Sequence, residues 1–390
     1  MRLSSFVERI GGEGAAAWDI HTRAVERQGR GEDVIVLSVG DPDFDTPPAI
    51  VDAAVESLRQ GRTHYMPIIG EPALRRAIAR EHEHASGQPV GPENVAVLAG
   101  AQCALFCSAL CVLDEGDEVI VPEPMYVTYE AVLRAAGARI VNVPLPASRE
   151  FALDPAEIAA AVTSRTRAIL VNSPHNPTGA MVTRRDWEAV AELCRRHDLW
   201  LLSDEVYASL TYDGEHVSPA GLPGMGERTV TISSLSKSHA MTGWRIGWAV
   251  APRPLVPHLA NLALCMLYGC PGFVQDAALA ALEAGPAEVT RMRDIYRRRR
   301  DLVHRKLSQA GGLGCHLPAA GMFMMVDIRG TGLGAYAFCD GLLDAKGVSV
   351  LAGEAFGPSA AGHVRLSLGT PEPVLEEACD RIVAYARSLG

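Results

Sequence analysis

The stretch SLSKSHAMTGWRIGW, residues 234–248, sets one lysine, Lys237, among three serines and follows it eight residues later with Arg245. A lysine amine is a useful nucleophile only when neutral, and burial or a nearby positive charge lowers its pKa. Arg245 is such a neighbour, and its guanidinium also pairs well with a phosphate dianion. Ser234 and Ser236 can donate hydrogen bonds to the same anion. An exposed lysine needs none of these companions. The pattern S-x-S-K followed by G-W-R points instead to a lysine that forms an imine with an aldehyde cofactor carrying a phosphate.

Other segments offer matching parts. In LLSDEVYASL an apolar strand ends at Asp204, which puts a carboxylate at the carboxyl edge of a sheet, where α/β folds bind ligands. An acid there could keep a heteroaromatic nitrogen protonated, and Tyr207 could hydrogen-bond a ring oxygen; a helix-capping Asp and a core Tyr fit the same letters. LVNSPHNPTGA places the turn Asn176–Gly179 after a further strand. VLAGAQCALF reads as strand, glycine and helix start, offering the free N–H groups of Ala101 and Gln102 to an anion. Neither it nor GTGLGA at 330–335 completes a dinucleotide fingerprint. Tyr126 in PEPMYVTY could stack on a planar cofactor. Arg365 in HVRLSL sits among apolar neighbours and suits a bidentate carboxylate partner. Together these parts describe what pyridoxal phosphate and an amino acid would need.

The elements that must position them alternate. Strands are expected at 95–98, 118–121, 139–143, 168–172, 199–203, 229–232 and 245–250, with helices near 101–113, 126–136, 155–162 and 183–197 between them. This rhythm predicts an α/β fold with a mostly parallel sheet covered on both faces. Residues 254–310 read as helical. GMFMMVDI at 321–328, GVSVL at 347–351 and HVRLSL at 363–368 suggest a small second sheet, and the first 40 residues read as a helix followed by a short strand.

Composition sets bounds. The chain has 390 residues, 48% hydrophobic and 21% charged, enough for two or three domains with buried cores. A net charge of −10 argues against nucleic acid or an anionic membrane as partner. The N-terminal residues show no signal-peptide core, and no apolar run reaches membrane-spanning length, so a cytoplasmic location is expected. The nine cysteines form no CxxC pair and suggest reduced thiols; Cys103, Cys107 and Cys111 read as a buried helical stripe rather than a metal site. The run Arg297–Arg300 reads as a solvated helix face.

SLSKSHAMTGWRIGW, NSPHNPTG, SDEVY, LSVGDPDFDTP and HVRLSLG, in that set, resemble the class I/II aminotransferases of fold type I, over nearly the whole chain. The resemblance implies a large domain, 48–285, with a mostly parallel seven-stranded sheet between helices. It also implies a smaller α+β domain at 286–390 and an arm at 1–47 that joins it. By position, Lys237 would hold pyridoxal 5'-phosphate covalently and act with Asp204 and Tyr207 in catalysis. Asp204 would pair with the ring nitrogen, Asn176 and Tyr207 would contact the ring's oxygen, and Tyr126 would stack on the ring. Ala101, Gln102, Ser234 and Arg245 would seat the phosphate, and Tyr65 would reach the phosphate of a neighbouring subunit in a homodimer with shared active sites. Gly40, Asn176 and Arg365 would receive the substrate α-carboxylate. Glu354 and Ala352 stand where the family often has a hydroxyl residue and a proline.

GAAAWDIHTRA, LAGAQCALF, EPMYVTYEAV, NLALCMLYG and SVLAGEAFGPSAAGH are similar to members of the family that take arginine as amino donor and pyruvate as acceptor. Glu13, Asp19 and Glu354 are then candidate carboxylates for a cationic side chain, and the small residues 14–17 would leave it room. A broad-specificity or aromatic/aspartate-type aminotransferase fits the motifs too, as does a pyridoxal-phosphate lyase or oxidase acting on a basic amino acid. A transcriptional regulator with an aminotransferase-like domain would need a DNA-binding unit that residues before GDPDF do not contain.

Overall fold

Runs of valine, isoleucine and leucine that are apolar at nearly every position become strands buried on both faces, as a parallel sheet between helices requires. The computed structural model describes residues 2–11 and 18–389. After a two-residue strand β1 (Ile35–Val36) come β2 (Val95–Leu98), β3 (Glu118–Glu123), β4 (Arg139–Pro144), β5 (Thr166–Asn172), β6 (Trp200–Asp204), β7 (Thr229–Ser234) and β8 (Gly247–Val250). The last seven form one sheet in the order β2-β8-β7-β6-β5-β3-β4. All neighbours are parallel except β8, which runs against both β7 and β2. The architecture is the α/β arrangement of fold type I, with a mostly parallel seven-stranded sheet.

Two boundaries differ from expectation. Arg245 is not in a strand; it holds a left-handed backbone conformation (φ 52°) before β8 begins at Gly247. GVSVL is not one strand either. β11 (Val348–Ser349) pairs in parallel with β1, and after Val350 the chain moves to β12 (Leu351–Ala352), which joins β13 (His363–Ser367), β10 (Phe323–Asp327) and β9 (Gly314–Cys315) in an antiparallel sheet. Changing partner within five residues ties the N-terminal segment to the C-terminal third of the chain. The helices Val256–Met266, Gly272–Glu283 and Ala287–Ser308 occupy the stretch read as helical. Among the described residues no helix is long and apolar enough to cross a membrane.

The arginine run corrects a second expectation. Consecutive helical residues step by about 100°, so four of them cannot share one face. Arg297 and Arg298 are exposed, but Arg299 and Arg300 are buried. Arg299 makes a two-pronged pair with Asp43 (2.6 and 2.7 Å) and donates to the carbonyl of Leu368. Arg300 bonds Asp213 and the carbonyl of Pro318 and lies over the Tyr212 ring. Asp43 belongs to the GDPDF segment, so this pair anchors the loop that carries Gly40. Replacing Asp43 by alanine strands a buried guanidinium and should destabilise the protein by about 3 kcal/mol. Urea unfolding of the two proteins measures this, and a change within experimental error would contradict it.

Candidate active site

The carboxyl ends of β5, β6 and β7 lie side by side, with Asn172 in register with Asp204. They floor a cavity of about 300 Å³ whose walls include Lys237, Asp204, Tyr207, Tyr126, Asn176 and Arg245. Lys237 follows the end of β7 and points back into this space. Its Nζ donates to the carbonyl of Gly40 at 2.5 Å. Burial is the main cause that pulls its pKa down to about 8, aided by Arg365 and Arg245 and opposed by Asp41. A fraction of the amine is thereby neutral near physiological pH, where a free lysine has almost none.

Asp204 is fully enclosed, and burial pushes its carboxyl up to about 6 although hydrogen bonds act to lower it. The Tyr129 hydroxyl donates to Oδ2 at 2.6 Å, and the Val206 N–H reaches Oδ1 at 3.3 Å. Asn172 donates to the Asp204 carbonyl at 2.9 Å and accepts from the Asn176 N–H at 2.7 Å. Tyr129 and Asn172 were not among the residues singled out from sequence. The available signals were slight: Tyr129 lies three residues beyond Tyr126 in PEPMYVTY, and Asn172 is the polar last residue of an apolar strand. Asn176 Nδ2 faces the Tyr207 hydroxyl at 3.4 Å.

Arg365 lies beneath the cavity between two rings, with Phe323 at 4.2 Å and Phe356 at 4.8 Å. It donates to Asn176 Oδ1 (3.1 Å) and to the Ser38 carbonyl (2.7 Å), while its buried Nε has no partner. Burial lowers its pKa to about 10, which leaves it charged at neutral pH. Its fork thus retains capacity for an anion.

At the opposite end, Ala101 and Gln102 open the helix Ala101–Val112. Gly100 before them has φ 86°, and a Cβ there would come within 2.6 Å of Arg245 Nη2. The glycine lets the guanidinium sit against the helix start, where Ser234 and Ser236 also face the cavity. Arg245 is itself steadied by the Thr242 carbonyl at 2.7 Å. A cation, two hydroxyls and free helix N–H groups form a seat for a dianion.

Some candidates lie elsewhere. Tyr65 is 83% exposed and is not on the cavity wall. Asp19 is exposed in the first turn of its helix. Glu354 accepts from the Gly362 N–H at 3.4 Å and is not among the cavity wall residues. Glu13 and residues 14–17 fall outside the described residues. Asp41 and Thr242, joined at 2.7 Å, are wall residues that the motifs did not single out.

Residues 32–382 match the family described as aminotransferase class I and II. The chain is 61% identical to the arginine–pyruvate transaminase AruH of Pseudomonas aeruginosa, over 100% of this chain and 99% of that protein. It is 40% identical to the aspartate/prephenate aminotransferase of Thermus thermophilus, over 95% of each. Among solved structures, the Thermus thermophilus aspartate aminotransferase with maleate is similar at a TM-score of 0.94 and 38% identity, covering 99% of this chain and 100% of that one. The family's cofactor is pyridoxal 5'-phosphate, and the cavity fits it: a dianion seat at one end, a buried carboxylate at the other, an aromatic wall and a buried amine with lowered pKa between them. The chain belongs to the class I and II aminotransferases and is a pyridoxal-phosphate enzyme.

Proposed function

We propose that this aminotransferase takes arginine as amino donor and pyruvate as acceptor, yielding 2-oxoarginine and alanine. The observation that carries this reading is the 61% identity, end to end, with a protein named for that reaction. When bound, the cofactor supplies an electron-accepting ring for the charge left as the donor loses its Cα proton. The chain's residues do the rest. Arg365 and Asn176, with the backbone at Gly40, hold the α-carboxylate. Lys237 Nζ is the amine that would hold the cofactor's aldehyde and, once freed by the donor, would act as the base that moves the Cα proton. Asp204, held by Tyr129, would pair as an anion with the ring nitrogen. Tyr207 and Asn176 would contact the ring oxygen, Tyr126 would stack on the ring, and Ala101, Gln102, Ser234 and Arg245 would hold the phosphate.

Part of the reading concerns a homodimer. Val51, Val55 and Leu58 on one helix, with Leu264, Met266, Tyr65 and Tyr268, expose apolar surface that a second copy would cover. Tyr65 then reaches the neighbour's phosphate. Free thiols at all nine cysteines suit the cytoplasm, and the cofactor domain spans 48–285 with the smaller domain at 286–390. A panel of amino donors with pyruvate, followed by alanine formation, tests the reaction. Arginine should give the highest kcat/KM, and a panel led by aspartate or an aromatic acid would replace the reading.

A further inference from the structure

The end of β6 carries two consecutive acids, whose side chains leave opposite faces of the sheet as alternation along a strand requires. Asp204 enters the cavity, and Glu205 is not on its wall. The Glu205 N–H bonds the Ile232 carbonyl and so continues the ladder with β7. Its carboxylate is buried and has three donors. Ser203 and Ser218 reach Oε1 at 2.8 and 2.9 Å, and His216 Nε2 reaches Oε2 at 2.8 Å. Burial opposes ionisation, yet His216, His82 and Ser203 together hold this carboxyl below its ordinary range, so Glu205 is an anion at neutral pH. A buried anion beside a second buried acid is costly, because like charges repel strongly where the dielectric is low. Packing does not require it, since glutamine fills the same volume and accepts from both serines. The cost appears at Asp204, pushed up first by burial and also by Glu205. Acids perturbed in this way gather at functional sites.

We propose that Glu205 is a positioning residue for the cofactor's ring, a fixed negative charge that acts on the ring nitrogen through Asp204 and not by contact. With that charge behind it, Asp204 and the ring nitrogen together keep their proton to higher pH. This rests on Asp204 pairing with the ring nitrogen, as proposed above, and not on the identity of the amino donor. On the cavity side Asp204 is faced by Tyr126, Tyr129 and Tyr207, which burial keeps neutral. Lys237, Arg245 and Asp41 are the other charged groups of the wall, with Arg365 beneath it. Behind the sheet, His216 comes from the segment after β6. His82 comes from the helix Pro72–Ser86, where its Nε2 bonds Gln88 at 2.8 Å.

The test titrates the cofactor-free protein with pyridoxal phosphate and compares its affinity at pH 8 with that at pH 5. The cofactor's own titrations are common to every variant and cancel between them. Protonation of Asp204 weakens binding at pH 5, so the pH 8 to pH 5 ratio should be about tenfold larger in wild type than in Asp204→Asn. Glu205→Gln lets Asp204 stay ionised to lower pH and should cut the wild-type ratio about threefold. Glu205→Asp keeps the charge and should retain the wild-type ratio. In the Asp204→Asn background Glu205→Gln should change nothing, because its route is gone. Ser203→Ala with Ser218→Ala removes two donors, so Glu205 takes up a proton more readily. That pair should move the ratio in the same direction by less, and it serves if the glutamine variant does not fold. A wild-type ratio equal to that of Asp204→Asn overturns the Asp204 reading beneath the proposal. A ratio unchanged in Glu205→Gln, or cut equally in Glu205→Asp, shows a structural glutamate and overturns the proposal alone. The same threefold loss without Asp204 refutes action through that residue.

Discussion

Replacing Lys237 by alanine should lower turnover by at least about 10⁴-fold, because in the proposed reaction one amine carries both the covalent attachment and the proton transfer. No other lysine lines the cavity among the described residues, so no second amine can provide the covalent attachment. Water can enter the space left by the side chain but lacks the held nucleophile's position. Single-turnover measurement with arginine and pyruvate checks the loss, and retention of even one hundredth of the wild-type rate would rule Lys237 out. A second readout needs no turnover. The folded pKa of Lys237 is about 8 against 10.5 for the free side chain, so between those values the unfolded chain binds more protons than the folded one. Stability of the cofactor-free protein therefore rises with pH across that window, and the contribution is missing below pH 8. Lys237→Met removes the buried charge at similar volume, so the variant should gain up to about 3 kcal/mol over wild type at pH 7 and lose that advantage near pH 10.5. Denaturant unfolding at the two pH values gives the difference, to which other titrating groups contribute equally.

The signals that could be read in the sequence were those written within a few consecutive residues. The strands of the large sheet announce themselves because both faces are buried, so each is a continuous apolar run such as Ala168–Val171. Lys237, Asp204 and Arg245 stand out because each ends or follows such a run with a residue that is costly to leave unpaired. Tyr129 does not stand out: its value lies in one hydrogen bond to a carboxylate 75 positions away, and nothing local separates it from a core tyrosine. Asn172 is hidden for the same reason, its bonds running to the next strand. Charge alone does not distinguish Arg299 and Arg300 from a solvated face; the turn of the helix carries two of the four arginines inward to Asp43 and Asp213. Arg245 resembles a strand residue because apolar residues follow it. The left-handed Arg245 lays its guanidinium against Gly100, 145 positions upstream, a contact visible only once the sheet is folded. What a cationic substrate side chain would meet is not legible, since a carboxylate such as Asp19 carries no local mark of what it faces.

Asp204→Asn should lower kcat by about 10³-fold while changing the structure little, since the amide matches the carboxylate in size. The argument is electrostatic. Asp204 is enclosed, and burial alone would favour its neutral form, raising it to about 6. In the proposed reading a cationic ring nitrogen opposite Asp204 would return it to the charged form, and the charged form would in turn keep the nitrogen protonated, each stabilising the other at low effective dielectric. Asparagine would offer the nitrogen a dipole and no charge, so the ring would lose its proton and with it most of its capacity to accept electrons. Tyr129→Phe separates this effect from simple packing. It removes the 2.6 Å hydrogen bond that opposes the burial effect, so in the cofactor-free protein the Asp204 pKa rises from about 6 and cofactor binding weakens toward acid pH. The loss of pyridoxal-phosphate affinity should be about tenfold at pH 6 and smaller at pH 8, where Asp204 is ionised in either protein. A structural defect in the helix Tyr129–Ala135 would instead weaken binding equally at all pH values, and a pH profile of affinity parallel to wild type would therefore show that Tyr129 holds the fold and not the charge.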